Sequence, residues 1–201
     1  MRRETRLGAA LIALGLCLSP ARGDEVEIAL DHPFSLINAD GNTVTGSDFP
    51  GKWLLIYFGY THCTDECPTS LSGLAETLDQ IGPATRYLQP IFVTVDPERD
   101  RGPMLREFTA AFDKRIIGLT GTPEQIADLA SALGVKYEKV LLGDRDYVVD
   151  HSTQLSLVDP QRKSAVSFAF AEPYLIAAEL LRLLDRSGVA LGDVKNLRAY
   201  R

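Results

Sequence analysis

Cys63 and Cys67 stand four positions apart, with Thr64, Asp65 and Glu66 between them and Pro68 directly after. Two thiols at this distance form a disulfide, a redox couple or part of a metal site. The loop between them is one residue longer than in a C-x-x-C pair. It gives the sulfurs room to stand on either side of an ion and does not forbid a disulfide. As soft donors they suit Cu(I) or zinc. Structural zinc takes four ligands, and the remaining cysteine, Cys17, lies far away in an N-terminal segment that reads as a targeting signal. A third ligand must therefore come from another part of the chain.

The candidates are three histidines. His32 precedes Pro33 in what reads as an exposed lead-in, and His62 adjoins Cys63, where its side chain is expected to point away from its neighbour's. His151 follows Tyr147-Val148-Val149-Asp150 and precedes Ser152, at a strand end or turn from which a side chain can return to the cysteine loop. Such a histidine serves either as a hydrogen-bonded structural residue or as a metal ligand.

The elements that must position these groups follow from hydrophobic periodicity. Residues 53–58 are a continuous apolar run, as expected of a central strand buried on both faces. From Pro68 onward Leu71, Leu74, Ala75, Leu78 and Ile81 recur at helical spacing, and Gly82-Pro83 reads as the stop. With Pro68 at the first helical position, Cys67 is expected to cap the helix, where its N–H groups and dipole lower a thiol's pKa.

Earlier in the chain, residues 24–31 read as the lead-in, and residues 34–37 and 43–45 as a hairpin turning at Asp40-Gly41. After the first helix come a strand over residues 90–95, a helix bearing Leu105, Phe108, Ala111 and Phe112, and a short strand at 116–119. A third helix starts at Thr122-Pro123-Glu124, with Thr122 as cap. Strand candidates at 135–142, 147–149, 154–158 and 165–170 and a last helix at 173–184 complete the chain. Strands alternating with helices predict an α/β domain around a mixed sheet flanked by helices, with antiparallel strands added late.

The N-terminal segment is expected to be a signal. Met1, Arg2, Arg3 and Arg6 precede an apolar run over residues 7–18, and Ala21-Arg22-Gly23 resembles a cleavage site. The run is short of the roughly 18 residues that span a bilayer, so a retained anchor is the alternative. The predicted domains are thus a signal at 1–23 and one globular domain at 24–201. Removing the signal leaves 17 basic and 26 acidic residues, shifting the net charge from −6 to −9. That excludes the basic footprint of a nucleic-acid binder and is compatible with a cationic or metal-handling partner.

Several stretches, in order, resemble the Sco/SenC family of thioredoxin-like copper chaperones. They are Gly51-Lys52-Trp53-Leu54-Leu55-Ile56-Tyr57-Phe58-Gly59-Tyr60-Thr61-His62-Cys63, Cys67-Pro68-Thr69, Phe92-Val93-Thr94-Val95-Asp96-Pro97-Glu98-Arg99-Asp100, Gly118-Leu119-Thr120-Gly121-Thr122 and Val149-Asp150-His151-Ser152. The resemblance covers about residues 34–184. It implies a thioredoxin-like fold and copper, Cu(I) or Cu(II), bound by Cys63, Cys67 and His151, with Cu(I) in a trigonal S, S, N set. Asp96 and Asp150, in matching motifs, are implied to lie near the site and to orient the ligands. Family members assemble the binuclear copper centre of cytochrome c oxidase subunit II, by delivering copper or by reducing its cysteines.

The expected location is therefore the periplasm or another exported compartment. The expected partners are that subunit or another copper-receiving client, together with periplasmic copper chaperones or thiol reductants. Thr64 stands where the family commonly has proline and Glu66 where it commonly has an apolar residue, so the loop is less rigid and more acidic. The alternative function is a cell-envelope thiol–disulfide oxidoreductase without a stable metal, in which Cys63 and Cys67 are the redox pair and Cys63 attacks. A structural disulfide between them would close too short a loop to stabilise much.

Overall fold

The computed structural model describes residues 26–30, 33–143, 146–189 and 191. The expected signal at 1–23 and His32 lie outside the described residues. The elements run β1 (Val26–Ala29), β2 (Ser35–Asn38), β3 (Thr43–Thr45), β4 (Trp53–Gly59), α1 (Glu66–Ile81), β5 (Leu88–Thr94), α2 (Gly102–Phe112), β6 (Ile117–Thr120), α3 (Pro123–Ala132), β7 (Tyr137–Leu141), β8 (Tyr147–His151), β9 (Gln154–Val158), β10 (Ser164–Ala169) and α4 (Pro173–Arg186).

Eight strands form one sheet in the order β1-β10-β9-β4-β5-β6-β2-β3, and β7 and β8 pair as a separate ribbon. β4 is parallel to β5 and antiparallel to β9, and β5 is parallel to β6. A β-α-β unit whose first strand is flanked by an antiparallel hairpin leading to a final helix is the thioredoxin-like arrangement. The predicted N-terminal hairpin, β2 and β3, extends the sheet beyond β6.

β4 sits centrally because it has two apolar faces. Leu54, Ile56 and Phe58 join a core shared with Ile126, Leu129 and Ala130 of α3. Leu55 and Tyr57 face the opposite core, built from Leu71, Leu74 and Leu78 of α1, Leu105 of α2 and Ile176, Leu180 and Leu181 of α4. Each such fully buried side chain stabilises the fold by about 1.5–3 kcal/mol. α3 begins as predicted, with Thr122 Oγ1 accepting the Gln125 N–H and the Gln125 side chain accepting the Thr122 N–H.

Three expectations need correction. The supposed lead-in contains β1, which pairs antiparallel with β10, so residues 26–29 form an edge strand. Gly82-Pro83 does not end helical structure: α1 passes into a 3-10 segment, Gly82–Tyr87, as proline suits the start of such a turn. α1 also starts before Pro68, at Glu66, with Asp65 as its cap. Proline is still tolerated at the third helical position, because the first four N–H groups of a helix have no intrahelical acceptor.

Candidate metal centre

β4 delivers the chain to the carboxyl end of the parallel strands, where ligand sites of open α/β sheets lie. The loop after it carries Cys63, and the first turn of α1 carries Cys67. His151 is the last residue of β8, and 84 positions after Cys67 it returns to the dithiol, with Nε2 lying 3.3 Å from Cys67 Sγ. One donor atom from each of Cys63, Cys67 and His151 lies within 4.8 Å of the other two. Donors that reach a metal at about 2.0–2.3 Å must stand no more than about 4.6 Å apart, so small adjustments let all three reach one ion.

The imidazole is set for this role by its other nitrogen. Nδ1 lies 3.1 Å from the carbonyl oxygen of Ser152. A carbonyl only accepts, so Nδ1 carries the hydrogen and Nε2 presents its lone pair to Cys67, the tautomer a metal-binding histidine needs. The rings of Tyr57 and Tyr60 stand edge-on to the imidazole, with centroids 6.3 and 6.0 Å away.

The two sulfurs differ. Cys67 is fully buried, and Cys63 is half-buried with its sulfur accepting the Cys67 N–H at 3.3 Å. Helix N-terminal hydrogen bonding thus reaches Cys63, whereas the expected thiolate character of Cys67 is reversed. Burial pushes the Cys67 thiol up from 9.0 to about 12, and the Tyr60 backbone N–H beside it pulls the other way without offsetting that. Desolvation of the charged form outweighs the helix terminus. Gly59 lets the sulfur approach β4, because a Cβ there would stand 2.9 Å from Cys67 Sγ and 2.8 Å from Phe92.

Asp96 is buried and bonded to Tyr147 Oη at 2.8 Å and to the Arg99 Nε–H, with no ligand among these partners. Asp150 is exposed one position before His151, and alternation along β8 puts its side chain on the opposite face of the ribbon. His62 is exposed, with Nδ1 3.1 Å from Thr61 Oγ1, outside the three-residue cluster. Tyr57 is wholly buried, and its Oη lies beside Ser70 and Cys67 without reaching full hydrogen-bond geometry with either.

Sequence reasoning missed Asp100. Fully buried, it accepts hydrogen bonds from Thr61 N–H at 2.8 Å, Thr61 Oγ1 at 2.5 Å and Thr94 Oγ1 at 2.7 Å. It anchors the start of the cysteine loop to the end of β5. The available signal was Thr61 just after β4, Thr94 at the end of β5 and Asp100 in the loop that follows, which acquires meaning once β4 and β5 are known to be neighbours.

A thioredoxin-like domain with two thiols after its central strand, and a histidine brought onto them from a separate ribbon, is a dithiol–imidazole protein equipped for soft-metal or disulfide chemistry. The chain belongs to the SCO1/SenC family, whose family model matches residues 23–184. It is 39% identical over 174 residues to the mitochondrial Protein SCO1 homolog 1 of Arabidopsis thaliana, covering 86% of this chain and 48% of that protein. It is 43% identical over 129 residues to Protein SenC of Rhodobacter capsulatus, covering 64% and 58%.

Among solved structures, Arabidopsis thaliana ScoI with copper bound superposes with a TM-score of 0.72 at 36% identity, covering 79% of this chain and 99% of that one. Bradyrhizobium japonicum ScoI with copper bound gives 0.68 at 37% identity, covering 77% and 99%. The chain spans about half the length of the curated relatives it matches. No described helix is long and apolar enough to cross a membrane.

Proposed function

We propose that this protein is an exported copper carrier of the cell envelope that binds copper through Cys63, Cys67 and His151 and serves the assembly of the binuclear copper centre of cytochrome c oxidase. The observation that carries this reading is the convergence of two thiols and one imidazole lone pair within 4.8 Å, from segments far apart in the sequence. Two soft sulfurs and one imidazole match Cu(I). Binding releases the thiol protons, so the high proton affinity of Cys67 makes copper uptake dependent on pH. Half-buried Cys63 gives a client's sulfur access to the ion, which is how copper passes from one thiol protein to another. Copper is cargo here.

The test is titration of the reduced protein with Cu(I) against a competing chelator, and with Cu(II) by absorbance, for wild type, His151→Ala and Cys67→Ser. The reading requires one copper per chain and at least about tenfold weaker binding in each variant. Wild-type affinity in His151→Ala removes the histidine from the ligand set.

A second reading is favoured by the unequal exposure of the sulfurs. Half-buried Cys63 attacks a client disulfide and forms a mixed disulfide, and buried Cys67 then displaces the client, which leaves with two thiols as Cys63 and Cys67 become oxidised. His151 takes no part in that exchange. A client-reduction assay in which His151→Ala keeps full activity while Cys63→Ser loses it supports the reductase.

A further inference from the structure

The ligands sit on two bodies that the main sheet does not join. Cys63 and Cys67 belong to the β4–α1 connection, whereas His151 ends a two-stranded ribbon outside the eight-stranded sheet. At its base the ribbon is closed by Ser152 N–H to Lys136 O at 2.9 Å and by Lys136 N–H to Ser152 Oγ at 3.1 Å. Those bonds link the ribbon's two strands to each other, and only Ser152 and Thr153 join the His151 end to β9 of the main sheet.

The inner face of β8 is held in two places: Tyr57, Tyr60 and Cys67 lie against His151 and Val149, and the loop between β5 and α2 holds Tyr147. Tyr147, Val149 and His151 share the inner face of β8, five residues from end to end. Val149 is buried in the core beside α3. Tyr147 Oη donates to Asp96 Oδ1 at 2.8 Å, and the Arg99 guanidinium lies 3.8 Å over the Tyr147 ring. Arg99 also donates to the Tyr147 carbonyl at 3.2 Å. On the neighbouring strand, Lys139 pairs with Glu98 at 2.8 Å.

The same loop holds the cysteine side. Asp96 N–H donates to Thr94 Oγ1 at 2.9 Å, Thr94 Oγ1 donates to Asp100, and Asp100 accepts the Thr61 N–H and hydroxyl two residues before Cys63. An unbroken hydrogen-bonded path thus runs from the cysteine loop to the histidine ribbon through residues 94–100, none of which is in the cluster of possible ligands.

We propose that residues 94–100 set the separation of the dithiol and the imidazole, with Tyr147 as the positioning residue for His151 and Asp100 as the positioning residue for Cys63. This rests on the ligand assignment above and adds to it a control on the third ligand. Releasing Tyr147 from Asp96 frees the ribbon to carry His151 away while the thiols stay in place, which turns a three-donor site into a two-donor site open to a client.

The test is Tyr147→Phe, which removes one hydroxyl and keeps the ring under Arg99, with Arg99→Lys as a second variant if the first does not fold. In the reduced protein without copper, nuclear Overhauser contacts between the His151 and Tyr60 rings should weaken or vanish while those within β4 and β5 persist. Copper affinity should fall about three- to tenfold in the wild-type background. In the His151→Ala background the same change should alter it by less than about twofold, because the histidine it positions is gone.

Unchanged ring contacts, or an equal loss of affinity in both backgrounds, overturns the proposal, the second outcome marking Tyr147 as a general structural residue. If the wild type binds no copper, the copper reading fails and the ring contacts alone decide this one.

Discussion

Nε2 of His151 and Sγ of Cys67 lie 3.3 Å apart across 84 residues of sequence, with the imidazole lone pair facing a thiol that burial keeps protonated. The two groups are within hydrogen-bonding distance, a contact that an incoming ion replaces.

Thiol reactivity follows from this geometry. With its pKa pushed up to about 12 by burial, Cys67 stays almost wholly protonated at pH 8. Alkylation by iodoacetamide at pH 8, followed by mass spectrometry, should modify Cys63 first and leave Cys67 protected in the folded protein. Because folding raises this pKa above the ordinary 9.0, the associated stability is fully present below pH 9 and is lost as pH rises toward 12. Denaturation of the reduced protein should show that loss, and Cys67→Ser should lack it. Equal alkylation of both thiols contradicts the burial argument.

Gly59→Ala places a methyl group 2.9 Å from Cys67 Sγ and 2.8 Å from Phe92. Gly59 is held to β5 opposite Thr94 and accepts the Val95 N–H at 2.8 Å, so the strand yields little and the sulfur and ring must move. The variant should lose about 1–3 kcal/mol of stability in urea and bind copper more weakly than the wild type. Wild-type behaviour in both respects would show that the close approach is incidental.

Asp100→Ala leaves the Thr61 N–H and two hydroxyls without their shared acceptor in a buried place. The expected cost is at least about 2 kcal/mol, read from the denaturation midpoint. The cysteine loop should also open, measured as faster alkylation of Cys63. A change below about 0.5 kcal/mol with unaltered alkylation argues against an anchoring role.

Tyr57→Phe tests the opposite case. The hydroxyl is buried beside Ser70 and Cys67 without full hydrogen-bond geometry to either, so deleting it should leave stability unchanged or raise it by about 1 kcal/mol. A loss larger than that in thermal unfolding would show that the hydroxyl has a partner after all.

Local patterning made much of this architecture legible. The apolar run after Lys52, the helical spacing of Leu71, Leu74, Leu78 and Ile81, and the Thr122-Pro123 start are short-range signals, and each appears in the fold where it was expected. What stayed hidden depends on distant neighbours. β1 is a strand only because β10 lies beside it, and its four residues have too short a pattern to announce that alone. The protonated state of Cys67 depends on how deeply α1 sinks against β4, which the helix-cap argument could not contain. Asp100 reads as one acid among many until Thr61 and Thr94 are brought to it.

The ribbon's separation from the main sheet also bears on amide exchange. The strands Tyr137–Leu141 and Tyr147–His151 pair only with each other among the described residues, whereas residues 54–57 of β4 are paired on both sides. Amide protons of the ribbon should therefore exchange through a local opening, at a free energy below that of global unfolding, while those of the central strand wait for the whole domain to unfold. The three donors thus span two cooperative units, and the assembled trio is less durable than the fold that carries it.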